Sequence, residues 1–424
     1  MVLRLFERLF VIVLLLCSME VISAVTYPSA TETTPEIVTD ESHTLDRAIE
    51  GSVYACGTLL VLLRWRRVLG AVRTVWPLVA LTALAPLSIL WSVQPSLTLR
   101  RSVILLLWVV FAIYIGERYT MDKLARVLAQ TLCLMMVVVI VLSFVAPAYV
   151  IDYSNHMGAL KGLSVHKNLF GEYMALAVVL LLLVRFRHFD WLRYVFLVIA
   201  AALLVFSRSA TSLFLCVLLV ATMPVWRWAR LKRKQRLLVC FVAVPIVLPA
   251  MYFIARNTGL LLQILGRDPT LTGRTQIWAM VWPSLMKRPI LGYGYDAFWT
   301  GLKGESANVV IRSGWMVPHA HNGFLDLGLS LGAVGVAIFL YVWAYSLRRG
   351  IEFIRLERGP IGLWPVTFLY LFFLHNISES TLLTVLTKDT LPFLLFATIT
   401  TSLAVNRRRA TTATPTPNSQ LTAA

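Results

Sequence analysis

Long apolar runs constrain the fold of this 424-residue chain more than any other feature of its sequence. An α-helix needs about 20 consecutive apolar residues to cross the hydrocarbon core of a membrane. Because 58% of the residues are hydrophobic and only 14% are charged, the sequence predicts an all-α polytopic membrane protein with about twelve transmembrane helices. The runs lie near residues 5–24, 49–63, 74–92, 102–117, 124–147, 168–184, 192–206, 213–226, 237–255, 323–346, 361–377 and 389–405.

Basic residues are concentrated in every second connection between these runs, for example in residues 64–67, 230–234 and 407–409. Lysine and arginine are enriched on the cytoplasmic side of membrane proteins, so we expect these connections and both termini to be cytoplasmic. The alternate connections then face outward, and the longest of them is residues 256–322. The net charge of +18 arises from these short clusters, so we do not expect nucleic acid as a partner.

The pattern divides the chain into five segments. They are an N-terminal span with an outward segment (1–48), a transmembrane bundle (49–255), the large outward loop (256–322), the C-terminal transmembrane helices (323–405) and a disordered cytoplasmic tail (406–424). The first run could also be a secretory signal, because Ile22-Ser23-Ala24 offers a weak cleavage site. That alternative would leave residues 256–322 on the outer side.

Two histidines lie where the outward loop meets the next span, in Pro318-His319-Ala320-His321-Asn322-Gly323. Polar groups at the mouth of a span are costly unless they have a role. An imidazole with the ordinary pKa near 6.5 can take up a proton at neutral pH, so we predict one general base and one supporting histidine. Two alternatives stay open. His319, His321 and Asp326 could belong to a metal site, although they supply at most three ligands, or the histidines and Asn322 could only cap the helix.

Cations that face outward run against the overall charge pattern and indicate an anionic ligand. A guanidinium keeps its charge and binds two phosphate oxygens at once, so a lipid diphosphate would suit it. The first candidate is Arg208, in a polar hairpin between two spans, and Arg274, Arg100 and Lys167 follow. His166 begins another outward helix end and could join the same pocket. Each of these cations could instead contact only lipid headgroups.

Aromatic residues are frequent in the outward loop. Tyr293, Tyr295 and Trp299 could stack on sugar rings and line a groove for a glycan, although an aromatic belt at the membrane surface is the alternative. Trp278 and Trp282 are four residues apart, which predicts a helix that lies in the plane of the headgroups.

The span after the histidines carries a glycine pattern. Gly328 and Gly332 are spaced as Gly-x-x-x-Gly, which predicts close packing of that helix against another. His321-Asn322, a gap of nine residues and Gly332-Ala333-Val334-Gly335 resemble the signature of the bacterial O-antigen ligases. Over roughly residues 75–400, further stretches resemble the wider O-antigen ligase and polymerase superfamily, particularly its ExoQ-like exopolysaccharide members: residues 165–171, 207–209, 272–278 and 288–294.

The resemblance implies an inner-membrane glycosyltransferase with a GT-C-like architecture and a catalytic periplasmic loop. Such enzymes transfer a glycan from undecaprenyl diphosphate to an acceptor hydroxyl with inversion and without a metal or other cofactor. On this chain, the resemblance implies that His321 activates the acceptor and that Arg208 and Arg274 contact the diphosphate. The implied partners are the lipid-linked oligosaccharide, an acceptor glycan or lipid A–core, membrane lipid, and other proteins of polysaccharide export or chain-length control.

Four functions remain to be weighed. Residues 292–299 and 318–324 are closer to exopolysaccharide polymerases, while the signature at His321 fits ligases, so we predict a polymerase with a ligase as the alternative. A transporter or flippase is less favoured, because no matching pair of Gly/Pro-interrupted spans occurs in the two halves. A purely structural assembly protein would leave His321, Arg208 and Arg274 scattered.

Overall fold

The part of the protein that the structure describes is built mostly from α-helices. The computed structural model describes residues 2–19, 21, 44–153, 158–164, 166–227, 230–232, 234, 274–383, 399 and 401–406. Its helices are α1 (Val2–Ser18), α2 (Thr44–Leu63), α3 (Trp65–Val72), α4 (Trp76–Leu87), α5 (Pro95–Arg118), α6 (Met121–Val145), α7 (Lys167–Leu183), α8 (Leu192–Phe206), α9 (Ala210–Arg227), α10 (Arg274–Lys287), α11 (Ser306–Ser313), α12 (Gly323–Leu356) and α13 (Trp364–Ser378). Two short strands, β1 (Ile151–Asp152) and β2 (Ala159–Leu160), pair in antiparallel fashion.

Several described helices are long and apolar enough to cross a membrane. They are α5, α6, α9, α12 and the segment Pro360–Ser378, which contains α13, and a sixth span results if the bent pair α3 and α4 is counted as one. The chain is therefore a multi-pass membrane protein, as its composition predicts. The predicted number of about twelve is not reached within the described residues. The run near 237–255 and most of the run near 389–405 lie outside them.

Helix α7 lies at the centre of the bundle. Every residue from Phe170 to Leu181 is buried, and the helix packs against α6, α8, α9 and α13. A helix that is apolar on all sides is stable only when other helices surround it, which explains this position. The first turn of α7, with the half-buried Asn168, is therefore anchored by the buried turns that follow it.

Helix α12 is interrupted at Gly332, whose φ of 64° lies in the left-handed region. The interruption frees backbone groups of α12, and residues 289–294 of the outward loop satisfy them. The hydrogen bonds run from the N–H groups of Tyr293, Gly294 and Ala333 to the carbonyls of Leu329, Ser330 and Pro289, at 2.7, 3.0 and 2.8 Å respectively. The prediction that Gly332 permits packing of two helices is therefore wrong. The glycine instead admits the backbone of the loop, because a Cβ atom at this position would overlap the Ile290 carbonyl.

Replacing Gly332 with alanine should destabilise the protein by about 2 kcal/mol or more, because the new methyl group meets rigid backbone and the left-handed conformation disfavours alanine. Gly51→Ala is the matched control, since this helical glycine has nothing within 4 Å of its Cβ position; it should stabilise by up to about 1 kcal/mol. The measurement is the free energy of unfolding in mixed micelles titrated with sodium dodecyl sulfate. If the two variants had equal effects, Gly332 would not be the position at which the backbone of residues 289–294 packs against α12.

Candidate active site

The carboxylate of Glu379 is the centre of a polar cluster formed by four distant parts of the chain. Its Oε1 accepts hydrogen bonds from Arg274 at 2.6 Å and from the side-chain amide of Asn168 at 3.2 Å. Its Oε2 lies 3.4 Å from Nδ1 of His321. The exposed fractions of the Arg274, His321 and Glu379 side chains are only 12–14%. The cluster thus joins α7, α10, the start of α12 and the residue after α13.

The chain after α13 is fixed to the start of α12 by backbone contacts. The Glu379 carbonyl accepts from the N–H of Gly323 at 3.0 Å, and the N–H of Asn322 donates to Ser380 Oγ at 2.9 Å. Gly323 must be a glycine for this approach, because a Cβ there would overlap the Asn376 side chain. These contacts hold Glu379 beside His321 independently of the side-chain contact between them.

Asn322 caps helix α12, as one of the alternatives for this motif predicted. Its side-chain oxygen accepts from the N–H groups of Phe324 and Leu325 at 3.1 and 3.0 Å, which satisfies two donors that the helix itself leaves unpaired. His166 has the same position at the start of α7, where its Nδ1 accepts from the N–H of Asn168 at 3.2 Å. Both residues therefore orient the helix ends that carry the cluster.

His321 is arranged as a general base would need to be. When its Nδ1 carries the proton, that N–H donates to Glu379 and leaves Nε2 with a free lone pair. The residue has a φ of 49°, and its backbone N–H donates to Nδ1 of His319 at 3.2 Å. The two imidazole rings pack edge to face with centroids 4.2 Å apart. The assignment of one basic and one supporting histidine stays a prediction, for which this placement supplies the geometry.

Neighbouring groups favour the ionised form of Glu379. Burial alone would raise the pKa of this carboxyl, but the hydrogen bond with His321 and the charge of Arg274 outweigh it and hold the pKa well below its usual range. The carboxylate is therefore charged at neutral pH. A fixed negative charge beside Nδ1 stabilises the imidazolium that forms when Nε2 accepts a proton.

The pKa of His319 is lowered, whereas a general base at neutral pH needs a pKa near 7. Burial, with a further contribution from the neighbouring His321, lowers it from 6.5 to about 3. Below pH 6.5 the unfolded chain binds a proton that the folded protein rejects, so stability is full above that pH and is lost as the pH falls toward 3. We expect wild-type protein to lose about 1 kcal/mol more than His319→Asn between pH 7 and 5.5.

Unfolding titrations of both proteins at the two pH values measure this difference. The comparison isolates His319 because the remaining histidines are common to both proteins. Because the pKa of Glu379 is lowered in the folded protein, its contribution to stability is complete above the ordinary carboxyl pKa of 4.5. It therefore does not change between pH 7 and 5.5. Parallel loss of stability in the two proteins would show that His319 is not held neutral.

Asp326 and Trp299 support the loop that carries the histidines. The indole N–H of Trp299 donates to Asp326 at 2.7 Å, and the backbone N–H of Ala320 donates to the same carboxylate at 3.0 Å. From the other side, the indole N–H of Trp278 in α10 donates to the Ala320 carbonyl at 2.9 Å. The loop is thus clamped on both sides, which indicates a positioning role for Asp326.

The predicted sugar-stacking role of Tyr293 and Tyr295 is not compatible with their placement. Both rings are buried, with exposed fractions of 3% and 2%. The Tyr293 hydroxyl donates to the Ser284 carbonyl at 2.7 Å, and the Tyr295 hydroxyl donates to the Leu383 carbonyl. The aromatic segment enters the interior because its backbone docks into the break in α12. These tyrosines therefore contribute to the fold of the loop.

The predicted cations differ in how directly they are connected to the Glu379 cluster. The hairpin of Arg208 packs on the first turn of α7, where the Ser212 hydroxyl donates to the Asn168 carbonyl at 3.1 Å. Asn168 therefore connects this hairpin to Glu379. Arg208 itself is exposed. Lys167 is the first residue of α7. Arg100 is exposed on α5, and within the residues that the structure describes no hydrogen bond or ion pair joins it to the cluster.

Glu379 and Asn168 were missed by the sequence analysis. Glu379 is the only acid in the predicted outward connection 378–388 of a strongly basic chain, and that isolation was the available signal. Asn168 had none, because its role depends on a contact 211 residues away. A buried pair behind them, Glu172 and His375 with 3.0 Å between carboxylate and Nε2, was missed for the same reason.

Comparison with known proteins agrees with the motifs. The family model described as O-antigen ligase (Wzy_C) matches residues 194–340. The chain is 27% identical over 297 residues, 67% of each chain, to the exopolysaccharide production protein ExoQ of Rhizobium meliloti (strain 1021). It is also 32% identical over 96 residues, 22% of this chain and 24% of the relative, to a protein of Rickettsia prowazekii (strain Madrid E) that carries the provisional name polysaccharide ligase. The resemblance predicted from the motifs is thereby confirmed, and the part of the chain that is similar to the O-antigen ligase model is residues 194–340.

Proposed function

We propose that this protein is a glycosyltransferase that moves a glycan from undecaprenyl diphosphate to an acceptor hydroxyl, and that it extends an exopolysaccharide as a polymerase of repeat units. The observation that carries the proposal is the contact between His321 Nδ1 and Glu379 at 3.4 Å, which leaves Nε2 available as the base. Catalytic hydrogen bonds are often long before the substrate binds. We place the site on the periplasmic face of the bacterial inner membrane, with both termini in the cytoplasm.

The proposed reaction is one displacement at the anomeric carbon. Nε2 of His321 takes the proton of the acceptor hydroxyl while the acceptor oxygen bonds to the anomeric carbon. The bond from that carbon to the diphosphate oxygen breaks, its electron pair leaves with undecaprenyl diphosphate, and the configuration inverts. Glu379 stabilises the imidazolium. No step requires a metal or another cofactor, because the base and the cations are side chains.

The departing diphosphate needs positive charge nearby. Arg274 and Arg208 are the residues that we propose donate hydrogen bonds to it. Arg274 uses one guanidinium nitrogen for the short contact with Glu379, and a guanidinium carries five N–H donors, so others remain for phosphate oxygens. Arg208 lies on the hairpin that packs against Asn168. Lys167, at the start of the same helix, would add charge to this face. Donor and acceptor glycans, and export or chain-length proteins, are the proposed partners.

A ligase that passes finished polysaccharide to lipid A–core is the second candidate. The family description and the Rickettsia prowazekii relative favour it, whereas the relative that covers 67% of this chain is an exopolysaccharide production protein. Both candidates use the same base and the same donor, so the acceptor alone distinguishes them.

The test uses purified protein in lipid nanodiscs with undecaprenyl-diphosphate oligosaccharide and with EDTA present. Donor alone should give a ladder of longer lipid-linked glycans, which is the product of a polymerase. A product that forms only when lipid A–core is added would replace this assignment by the ligase. The same protein is reconstituted in parallel into sealed vesicles that contain the donor. Absence of both products, with movement of the donor across the vesicle membrane instead, would overturn the transferase and support a transporter.

A further inference from the structure

A pocket of about 590 Å³ opens where α2 meets α3 and shares no residue with the Glu379 cluster. Its walls include Glu7 from α1, Tyr114 from α5, and Arg64, Trp65, Arg66 and Arg67 from the corner between the two helices. We call it the Glu7 pocket. It therefore combines one carboxylate with three guanidinium groups at the end of a membrane-spanning bundle.

The charge of Glu7 is already compensated inside the protein. Its side chain is 1% exposed, and it contacts Arg118 at 2.7 Å and Arg64 at 3.3 Å, while the Tyr114 hydroxyl donates to it at 2.9 Å. Arg66 and Arg67 are exposed, and within the described residues neither forms an ion pair with an acidic side chain. Within this described part of the chain, the pocket therefore presents two arginines that are available to an anionic ligand.

Helix α3 has the features of a helix that lies in the membrane surface. It buries Val68 and Ala71 against the protein, and it leaves Trp65 and Leu69, one turn apart, 51% and 57% exposed. The axis of the segment from Trp76 to Leu90 departs from it by 98°. A short helix with an exposed tryptophan beside arginines is typical of the headgroup region.

An apolar groove runs between α1 and α2, which also contribute residues to the Glu7 pocket. Its volume is about 450 Å³, and Phe6, Leu9 and Val13 of α1 face Ile49 and Val53 of α2 across it. Leucines at the end of α2 next to the Glu7 pocket are also exposed, with Leu62 and Leu63 at 62% and 64%. A charged pocket and an apolar groove on one helix pair match the two ends of a phospholipid.

We propose that the Glu7 pocket binds the phosphodiester headgroup of an anionic phospholipid. Arg66 and Arg67 contact the phosphate oxygens, Trp65 lies at the level of the glycerol backbone, and an acyl chain follows the groove between α1 and α2. Guanidinium groups suit phosphate because they donate two hydrogen bonds at once and keep their charge, and basic pockets between membrane helices are a recognised headgroup site.

Native mass spectrometry of the full chain in detergent tests the proposal, with phosphatidylglycerol or phosphatidylcholine of identical acyl chains added at equal concentration. Phosphatidylglycerol should bind in preference, and Arg66→Gln with Arg67→Gln should weaken its binding roughly tenfold or more, since each basic side chain near a membrane surface contributes measurably. Arg348→Gln with Arg358→Gln is the matched control, because it removes two exposed arginines outside the pocket and should leave binding unchanged.

Two outcomes would overturn the site. One is equal binding of phosphatidylglycerol by the wild type and the Arg66 and Arg67 double variant. The other is displacement of the bound lipid by millimolar inorganic phosphate in a wild-type sample, which would show that the pocket recognises a free phosphate and not a lipid. Glycan transfer is not the readout, so the result is independent of the proposed reaction.

Discussion

Replacing His321 with asparagine is expected to slow glycan transfer by about 10²- to 10⁴-fold, the contribution of a positioned general base. Asparagine cannot accept the proton, but it tolerates the left-handed backbone that His321 adopts with φ 49°. The variant should therefore fold normally and still bind the lipid-linked donor. The measurement is the initial rate of product formation in nanodiscs, beside an unfolding titration that checks the stability of the same sample.

His188 provides the matched control. It is an exposed histidine between α7 and α8, and His188→Asn should keep the wild-type rate. The initial rate of Glu379→Gln should lie between the rates of the two histidine variants, because this change removes the group that stabilises the imidazolium but leaves the base in place. If His321→Asn keeps more than about a tenth of the wild-type rate, another group must take the proton and the proposed mechanism is wrong.

Replacing Arg274 with methionine is expected to reduce the free energy of unfolding by about 3 kcal/mol at pH 7, because the Glu379 carboxylate would remain charged and largely buried without its cation. The pKa of Glu379 is depressed by the hydrogen bond with His321 and by the charge of Arg274. The stabilisation should therefore fade only as the pH falls below the ordinary carboxyl pKa of 4.5. The double variant with Glu379→Gln should recover most of the loss. A sodium dodecyl sulfate titration of the four proteins gives the coupling energy.

Lys287 on the same helix is the control for this experiment. Its contact with Glu305 at 2.8 Å is solvent-exposed, with 56% and 33% of the two side chains accessible. Such pairs contribute little, so Lys287→Met should cost less than about 1 kcal/mol. Similar losses for Lys287→Met and Arg274→Met would show that the buried pair has no special share in stability.

Long apolar runs predicted the helices of this fold. The run at 192–206 has the same bounds as α8, and the polar residues after it form the hairpin to α9. The interruption of α12 was not predictable in this way, because Gly332 stands in an otherwise continuous apolar segment. The interruption depends on tertiary hydrogen bonds with the backbone of residues 289–294, and a local sequence pattern does not predict such contacts.

The candidate site was predictable only where one short motif carried the information. His319, His321 and Asn322 are neighbours in the chain, and their proximity to a helix start follows from the sequence alone. The partners of His321 come from other segments, so only tertiary packing brings Glu379 and Asn168 to it. Tyr293 and Tyr295 failed as surface candidates because aromatic content does not distinguish a buried ring from an exposed one.

The distribution of the cluster along the chain has a consequence for how the enzyme matures. Glu379 follows its partners Asn168, Arg274 and His321 by 211, 105 and 58 residues. Since synthesis and membrane insertion proceed from the N-terminus, the residue that unites these partners leaves the ribosome last. In the proposed mechanism, a nascent chain therefore lacks the carboxylate that orients His321 until the segment after α13 has been made, and a product truncated before residue 379 should not transfer a glycan.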